Sequence, residues 1–194
     1  MQFRRIIFVF LSVSSPLVFA DALDVSLNNN AVAFEYSTSS GALTQGNSDF
    51  HLGVLYNGDS MNNLADAGML VKGEEGDSAG MSLSVGAKVL VGMIKNYTPG
   101  TTQNVAAIVL GGELAYAFPA LKQLNAGLFY FAGPKITTFG DASRAGQWGL
   151  SLAFEASPGT KVYVEYRETN FGITSTGQTA TLDNATYTGV NLTF

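Results

Sequence analysis

The chain contains no cysteine. Disulfides and thiolate metal sites are therefore excluded as sources of stability. Charge is scarce too: 13% of the residues are Asp, Glu, Lys or Arg, about half the share of an ordinary soluble domain. Within that small set acids outnumber bases, 15 to 10, which argues against a nucleic-acid partner, because neutralising phosphates needs a basic surface. There is one histidine, His51, so a grouping of acid/base and nucleophile has little to draw on. It reads as a polar core residue, and the chain reads as a non-enzyme with no cofactor or metal site. After residue 20 no run of 18 or more apolar residues occurs, which excludes a transmembrane helix.

What the sequence does have begins at its N-terminus. Arg4 and Arg5 precede the apolar run IIFVFLSVSSPLVFA, which closes on Val18, Phe19 and Ala20 before Asp21. Two cations, a short apolar stretch and small residues at the cleavage position predict a secretory signal peptide over residues 1–20. Residues 21–194 form the mature chain.

That mature chain alternates. From 81 to 93 the odd positions read Met81, Leu83, Val85, Ala87, Val89, Val91 and Met93, while Ser82, Ser84, Gly86, Lys88, Leu90 and Gly92 lie between them, Leu90 being the one large apolar side chain of that set. A period of two over this length is a strand with one apolar and one polar face. The same pattern recurs around Leu52, Leu110, Leu150 and Val164, and the charges keep to one phase. Soluble sandwiches alternate as well. Length separates the cases: the stretches at 81–93 and 105–118 exceed the five or six residues of typical strands and suit a tilted membrane crossing of roughly nine to eleven.

Aromatics on the apolar face cluster near strand ends, at Phe50, Tyr56, Phe118, Trp148, Phe154 and Tyr166. Such rings suit the boundary between lipid and water. Because lipid offers the backbone no hydrogen bonds, strands can span it only as a closed barrel. Strands are expected near 31–38, 49–57, 63–72, 80–94, 104–118, 125–133, 146–157, 160–170 and 184–194. Single-chain bacterial barrels have even strand numbers, so LDVSLN at 23–28 is taken as the missing one. The expectation is an all-β, transmembrane, antiparallel up-and-down barrel of ten strands, with eight as the alternative. Alternation of turns puts 73–80, 119–125 and 157–160 at the periplasmic end, and 57–63, 95–103, 133–146 and 171–184 outside, the longest loops among the outer set.

The C-terminal stretch Thr188-Gly189-Val190-Asn191-Leu192-Thr193-Phe194 has a polar residue, glycine, alternating apolar positions and a terminal aromatic. Thr188, Gly189, Leu192 and Phe194 carry a resemblance to the C-terminal strand signal of bacterial outer-membrane barrels, read by the barrel-assembly machinery through strand addition. More broadly, LDVSLN, SLSVGAKVLVG, AAIVLGGELAYAFP, SPGTKVYVEYRETNF and TLDNATYTGVNLTF resemble the YfaZ-type small outer-membrane proteins. The resemblance implies a porin-like protein of the bacterial outer membrane in contact with its lipid. It brings no catalytic or binding residues with it.

The inward phase holds Glu35, His51, Asp66, Lys88, Glu113, Glu155, Lys161, Glu165 and Arg167, together with Tyr163. Lys88, Lys161 and Arg167 are the expected partners of Glu113, Glu155 and Glu165. Two roles fit such a network: a self-filled, hydrogen-bonded core, or the lining of a thin aqueous path for a small polar solute. Three functions follow. The first is a small outer-membrane barrel with a narrow or closed charged lumen, serving passive solute passage or a structural role. The second is a surface barrel that binds an extracellular partner through loops 133–146 and 171–184. The third is a soluble periplasmic lipid carrier with its apolar face turned inward.

Overall fold

The computed structural model describes residues 21–39, 48–73, 80–95 and 101–194. The signal peptide expected at 1–20 lies outside them, as do most of 73–80 and the middle of 95–103.

Among the described residues eleven strands follow one another: β1 (Asp21–Leu27), β2 (Ala31–Ser39), β3 (Ser48–Asn57), β4 (Asn63–Lys72), β5 (Met81–Lys95), β6 (Thr102–Ala117), β7 (Leu124–Gly133), β8 (Thr138–Gly140), β9 (Ala142–Ser157), β10 (Thr160–Ile173) and β11 (Thr179–Thr193). Each pairs antiparallel with the next around a ring, apart from β8, and β11 returns to pair with β1. Ten strands thus close the barrel, as the alternation predicts, and the eight-strand alternative falls. β8 is an extra three-residue strand folded back onto β6. Closure leaves no open edge, so each wall strand satisfies its backbone on both sides.

The ring closes where Asp21 and Phe194 meet. The Asp21 amide donates to the Phe194 carbonyl at 3.1 Å, and the Phe194 amide donates back at 2.9 Å. This end is called terminal, and the opposite end distal. Asparagines shape the tight distal turns: Asn28 Oδ1 accepts from the amides of Asn30 and Ala31 at 2.8 and 2.7 Å. Asn57 Oδ1 does the same for Asp59 and Ser60, each at 3.1 Å. Side chains of this kind close a turn by imitating its backbone hydrogen bond.

The apolar phase faces outward throughout. Leu52, Leu110, Leu150 and Val164 are half or more exposed, at 59%, 61%, 51% and 50%. A lipid carrier with this face turned inward is therefore ruled out by the orientation of the side chains. The interior divides by height. Its distal half is packed with apolar side chains, including Leu55, Leu64, Leu90, Val105, Val109, Phe131, Phe171, Ile173 and Leu182, several of them fully buried. Burying each large one contributes about 1.5–3 kcal/mol. The half nearer the termini holds the charges.

The strands at the distal end differ from expectation. β9 starts at Ala142 rather than 146, β10 runs to Ile173, and β11 starts at Thr179 rather than 184. The segments 133–146 and 171–184, expected as the longest outer loops, are thus largely strand. The connections there shrink to 134–141, which contains one 3-10 turn and β8, and to 174–178. Extra height at this end is built from ladder hydrogen bonds instead of loop.

Candidate functional site

Inward side chains around the barrel's middle and terminal half enclose a cavity of about 420 Å³. Asp24, Glu35, Asp66, Glu113 and Glu165 line it together with Lys88, Lys161 and Arg167, five carboxylates against three cations. Alternation delivers each of them: a two-residue period places every second side chain of a stave in the lumen.

The pairs are specific. Lys88 Nζ lies 3.3 Å from Glu113 Oε1, and it sits 4.3 Å from the centre of the Phe131 ring. The ammonium therefore joins the polar chamber to the apolar packing above it, its positive charge meeting the ring face. His51 Nε2 lies 3.6 Å from Asp66 Oδ1, beyond hydrogen-bond length, and is buried with no hydrogen-bond partner among the described residues.

Arg167 carries the densest network. Its Nη1 lies 3.7 Å from Glu165 and its Nε 3.3 Å from Asp183 Oδ2. Tyr187 donates its hydroxyl to Asp183 Oδ1 at 2.7 Å, and its ring lies 4.5 Å under the guanidinium. Tyr163 donates to Asp24, whose other oxygen accepts from Asn191 Nδ2 at 3.4 Å. Buried charges are tolerated only when paired and hydrogen-bonded in this way.

Of the residues read from the sequence, Glu35, Asp66, Lys88, Glu113, Lys161, Tyr163, Glu165 and Arg167 share this one cavity. Glu155 does not line it. Lys161 and Glu155 are register partners across β9 and β10, yet they form no ion pair among the described residues, and Lys161 is exposed. Glu35 faces the cavity with no ion pair among the described residues.

Sequence reasoning missed Asp24, Asp183 and Tyr187. Asp183 escaped because it lies in 171–184, expected as an outer loop, whereas β11 begins at Thr179 and carries a register shift there: Thr169 pairs with Asp183, and Asn170 pairs with Thr181. The extra residue at Leu182 turns both Leu182 and Asp183 inward, as a β-bulge does. Two adjacent buried residues, Leu182 at 2% and Asp183 at 2% exposure, interrupt the alternation, and the sequence offered no signal for that interruption.

The outer face carries the interface candidates. Phe50, Phe118 and Phe154 lie toward the terminal end, and Tyr56 and Trp148 toward the distal end, with Tyr166 midway along β10. The Trp148 and Tyr166 rings are 5.1 Å apart. Both donate to Glu168 Oε2, at 3.1 and 3.2 Å. Level with Trp148 and beyond it the outer face of β10 and β11 turns polar, with Glu168, Asn184 and Asn170. Of the C-terminal signal, Thr188 and Leu192 point outward, Gly189 points inward, and Phe194 ends the seam with β1.

No protein-family model matches the chain, and no curated protein sequence matches it. Among solved structures it is similar to the outer membrane channel DcaP of Acinetobacter baumannii, at 13% sequence identity and a TM-score of 0.43. The alignment covers 88% of this chain and 54% of that one, so the chain spans about half the length of that channel.

Proposed function

We propose that the chain is an integral outer-membrane β-barrel of porin-like architecture, related to the YfaZ-type proteins that its sequence resembles. It is exported by a signal peptide at residues 1–20 and delivered to the barrel-assembly machinery by its C-terminal strand. The terminal end faces the periplasm and the distal end the cell surface. The lumen is a charged chamber closed at the distal end by apolar packing, so solute does not pass through this conformation.

One observation carries the membrane reading: a closed barrel whose outer wall is apolar around its circumference, from Leu52 through Leu110 and Leu150 to Val190. Contiguous apolar surface on this scale is not left facing water by a monomeric soluble protein. Lipid covers it at no cost in backbone hydrogen bonds, because the ring is complete. Cell fractionation tests the proposal. A band in outer-membrane extracts whose migration changes on heating supports it, and recovery of the protein in osmotic-shock fluid ends it.

The surface-binding alternative keeps one specific support. The distal connection 134–141 exposes Ile136 at 88% and Phe139 at 55%, more than a solvated loop requires. If Ile136→Ser leaves every surface-binding property of the cell unchanged, this alternative falls.

A further inference from the structure

The wall of the chamber is not evenly charged. Register places Asp24 directly opposite Glu35, Glu35 opposite Gly53, and Gly53 opposite Asp66, so three inward carboxylates stand in one row across β1, β2 and β4. A Cβ on Gly53 would lie 2.5 Å from Asp66 Oδ2; the bare backbone lets Asp66 fold across β3 toward Glu35. Like charges directly opposite in a ladder destabilise it. Neither Asp24 nor Glu35 has an ion pair among the described residues, and the side chains that bond Asp24, Tyr163 and Asn191, are neutral. The cations of the chamber are committed elsewhere: Lys88 to Glu113 and the Phe131 ring, Arg167 to Glu165 and Asp183. Lys161 is separated from Asp24 by Asn191 in the register. The row is a strip of negative charge without a counter-charge of its own.

A second feature points at the same strip. One row nearer the termini, His51 stands opposite Gly68 and lies against it. Its Nε2 is turned to the strip, 3.6 Å from Asp66 Oδ1. His51 is 6% exposed, and this nitrogen has no hydrogen-bond partner among the described residues. A buried polar atom without a partner destabilises a fold, as the facing carboxylates do. An ammonium group seated beside Asp66 would answer both.

The shape of the strip selects the kind of cation. It spans three strand spacings, roughly 14 Å of wall, and among the described residues no three acidic or imidazole groups lie close enough to hold one metal ion. One row on the distal side, Ser26, Ala33, Leu55 and Leu64 follow one another in the register and line the same chamber. Hydrocarbon thus runs alongside the charge. The cavity, about 420 Å³, has the size of a small-molecule site.

We propose that the β1–β4 wall of the chamber is a binding site for a linear organic diamine, with one ammonium group between Asp24 and Glu35, the other at Asp66 beside His51, and the alkyl chain along Ala33, Leu55 and Leu64. The site deepens the porin-like reading, on which entry from the periplasmic side, opposite the apolar plug, rests.

Titration calorimetry of the purified, detergent-folded barrel at fixed ionic strength tests the site, with 1,4-diaminobutane as the probe. Binding should saturate at one diamine per chain. Butylamine, which has one ammonium group, should bind about tenfold or more weakly, and 1,4-butanediol should not bind. Glu35→Gln should weaken the diamine about tenfold or more and, by removing the repulsion with Asp24, raise the denaturation midpoint of the empty barrel. A merely structural carboxylate would lower that midpoint when neutralised. Absence of saturable binding, butylamine binding as tightly as the diamine, or a Glu35→Gln protein with unweakened binding or a lowered midpoint would each overturn the site. If Glu35→Gln does not refold, Asp66→Asn carries the binding test with the same expected weakening, and unweakened binding overturns the site. Glu155→Gln, outside the cavity, should bind as wild type does. An outer-membrane barrel that does not bind the diamine overturns the site alone; a protein that binds it but is recovered in osmotic-shock fluid supports the site and overturns the membrane reading.

Discussion

Arg167 Nε lies 3.3 Å from Asp183 Oδ2, and the pair exists because β11 carries one extra residue at that level. Regular alternation would aim one of Leu182 and Asp183 at the outer face. The bulge turns both inward, one to the apolar plug and the other to the guanidinium below it. The network and the closure of the lumen thus share a single backbone irregularity.

Asp183→Ala removes the fully buried partner of this pair and leaves Arg167 with Glu165 alone, at 3.7 Å. Breaking a buried pair from one side costs on the order of 3 kcal/mol or more. The expected outcome is a lowered denaturation midpoint of the detergent-folded barrel. The triple change Arg167→Met, Glu165→Gln and Asp183→Leu should recover part of the loss, because neither carboxylate is then left without its cation.

Gly189 stands opposite Tyr163 in the β10–β11 register. A Cβ there would lie 2.7 Å from Tyr163 Cε1, so the ring lies across the bare backbone and its hydroxyl reaches Asp24. Gly189→Ala should push the ring away, break that hydrogen bond, and destabilise the barrel by roughly 1–3 kcal/mol through overpacking. Tyr163→Phe in the Gly189→Ala background should then add little.

Val89 points outward at 46% exposure, and Ser84 points inward opposite Glu113 in the register. Val89→Arg should cost about 2–4 kcal/mol in lipid vesicles if it lies near the bilayer midplane. Ser84→Arg adds the same group to the lumen, beside a carboxylate, and should cost clearly less. Equal losses in unfolding from vesicles would contradict the assignment of the two faces.

Phe194 joins β1 through its backbone while its ring stands 72% exposed. Phe194→Ala preserves those backbone bonds. It should lower the amount of protein found in the outer membrane of cells more than it lowers the stability of the barrel refolded in detergent. An unchanged cellular level would count against a role in assembly.

The tenth stave, at 23–28, followed from the need for an even strand number, and the other nine were legible from their own patterning, clearest in the two-residue period between Met81 and Met93. The charges on the inward phase were legible for the same reason. Their partners were legible in part: Lys88 meets Glu113 and Arg167 meets Glu165 as expected, but Lys161 and Glu155 sit side by side in the ladder and do not pair, and Arg167 also takes Asp183 from beyond the expected start of its strand. Partner choice depends on bulges and on the lean of long side chains, which period alone does not encode. The plug was hidden too, since Phe171, Ile173, Ala180 and Leu182 stand among threonines, glycines and an asparagine that read as loop. Nothing local announces that Leu182 reaches Gly92 of β5 on the far side of the ring.

Insertion and assembly both require the outer face of the barrel to lie in lipid. A native chain without cysteine allows single cysteines to be placed in turn along β9, from Trp148 to Ala156, each labelled with a fluorophore and exposed to lipid-borne quenchers in vesicles. Quenching should alternate with a period of two, strong at Leu150, Leu152 and Phe154 and weak at Ser151 and Ala153. Uniformly weak quenching along the strand, or alternation in the opposite phase, would contradict a membrane-spanning barrel.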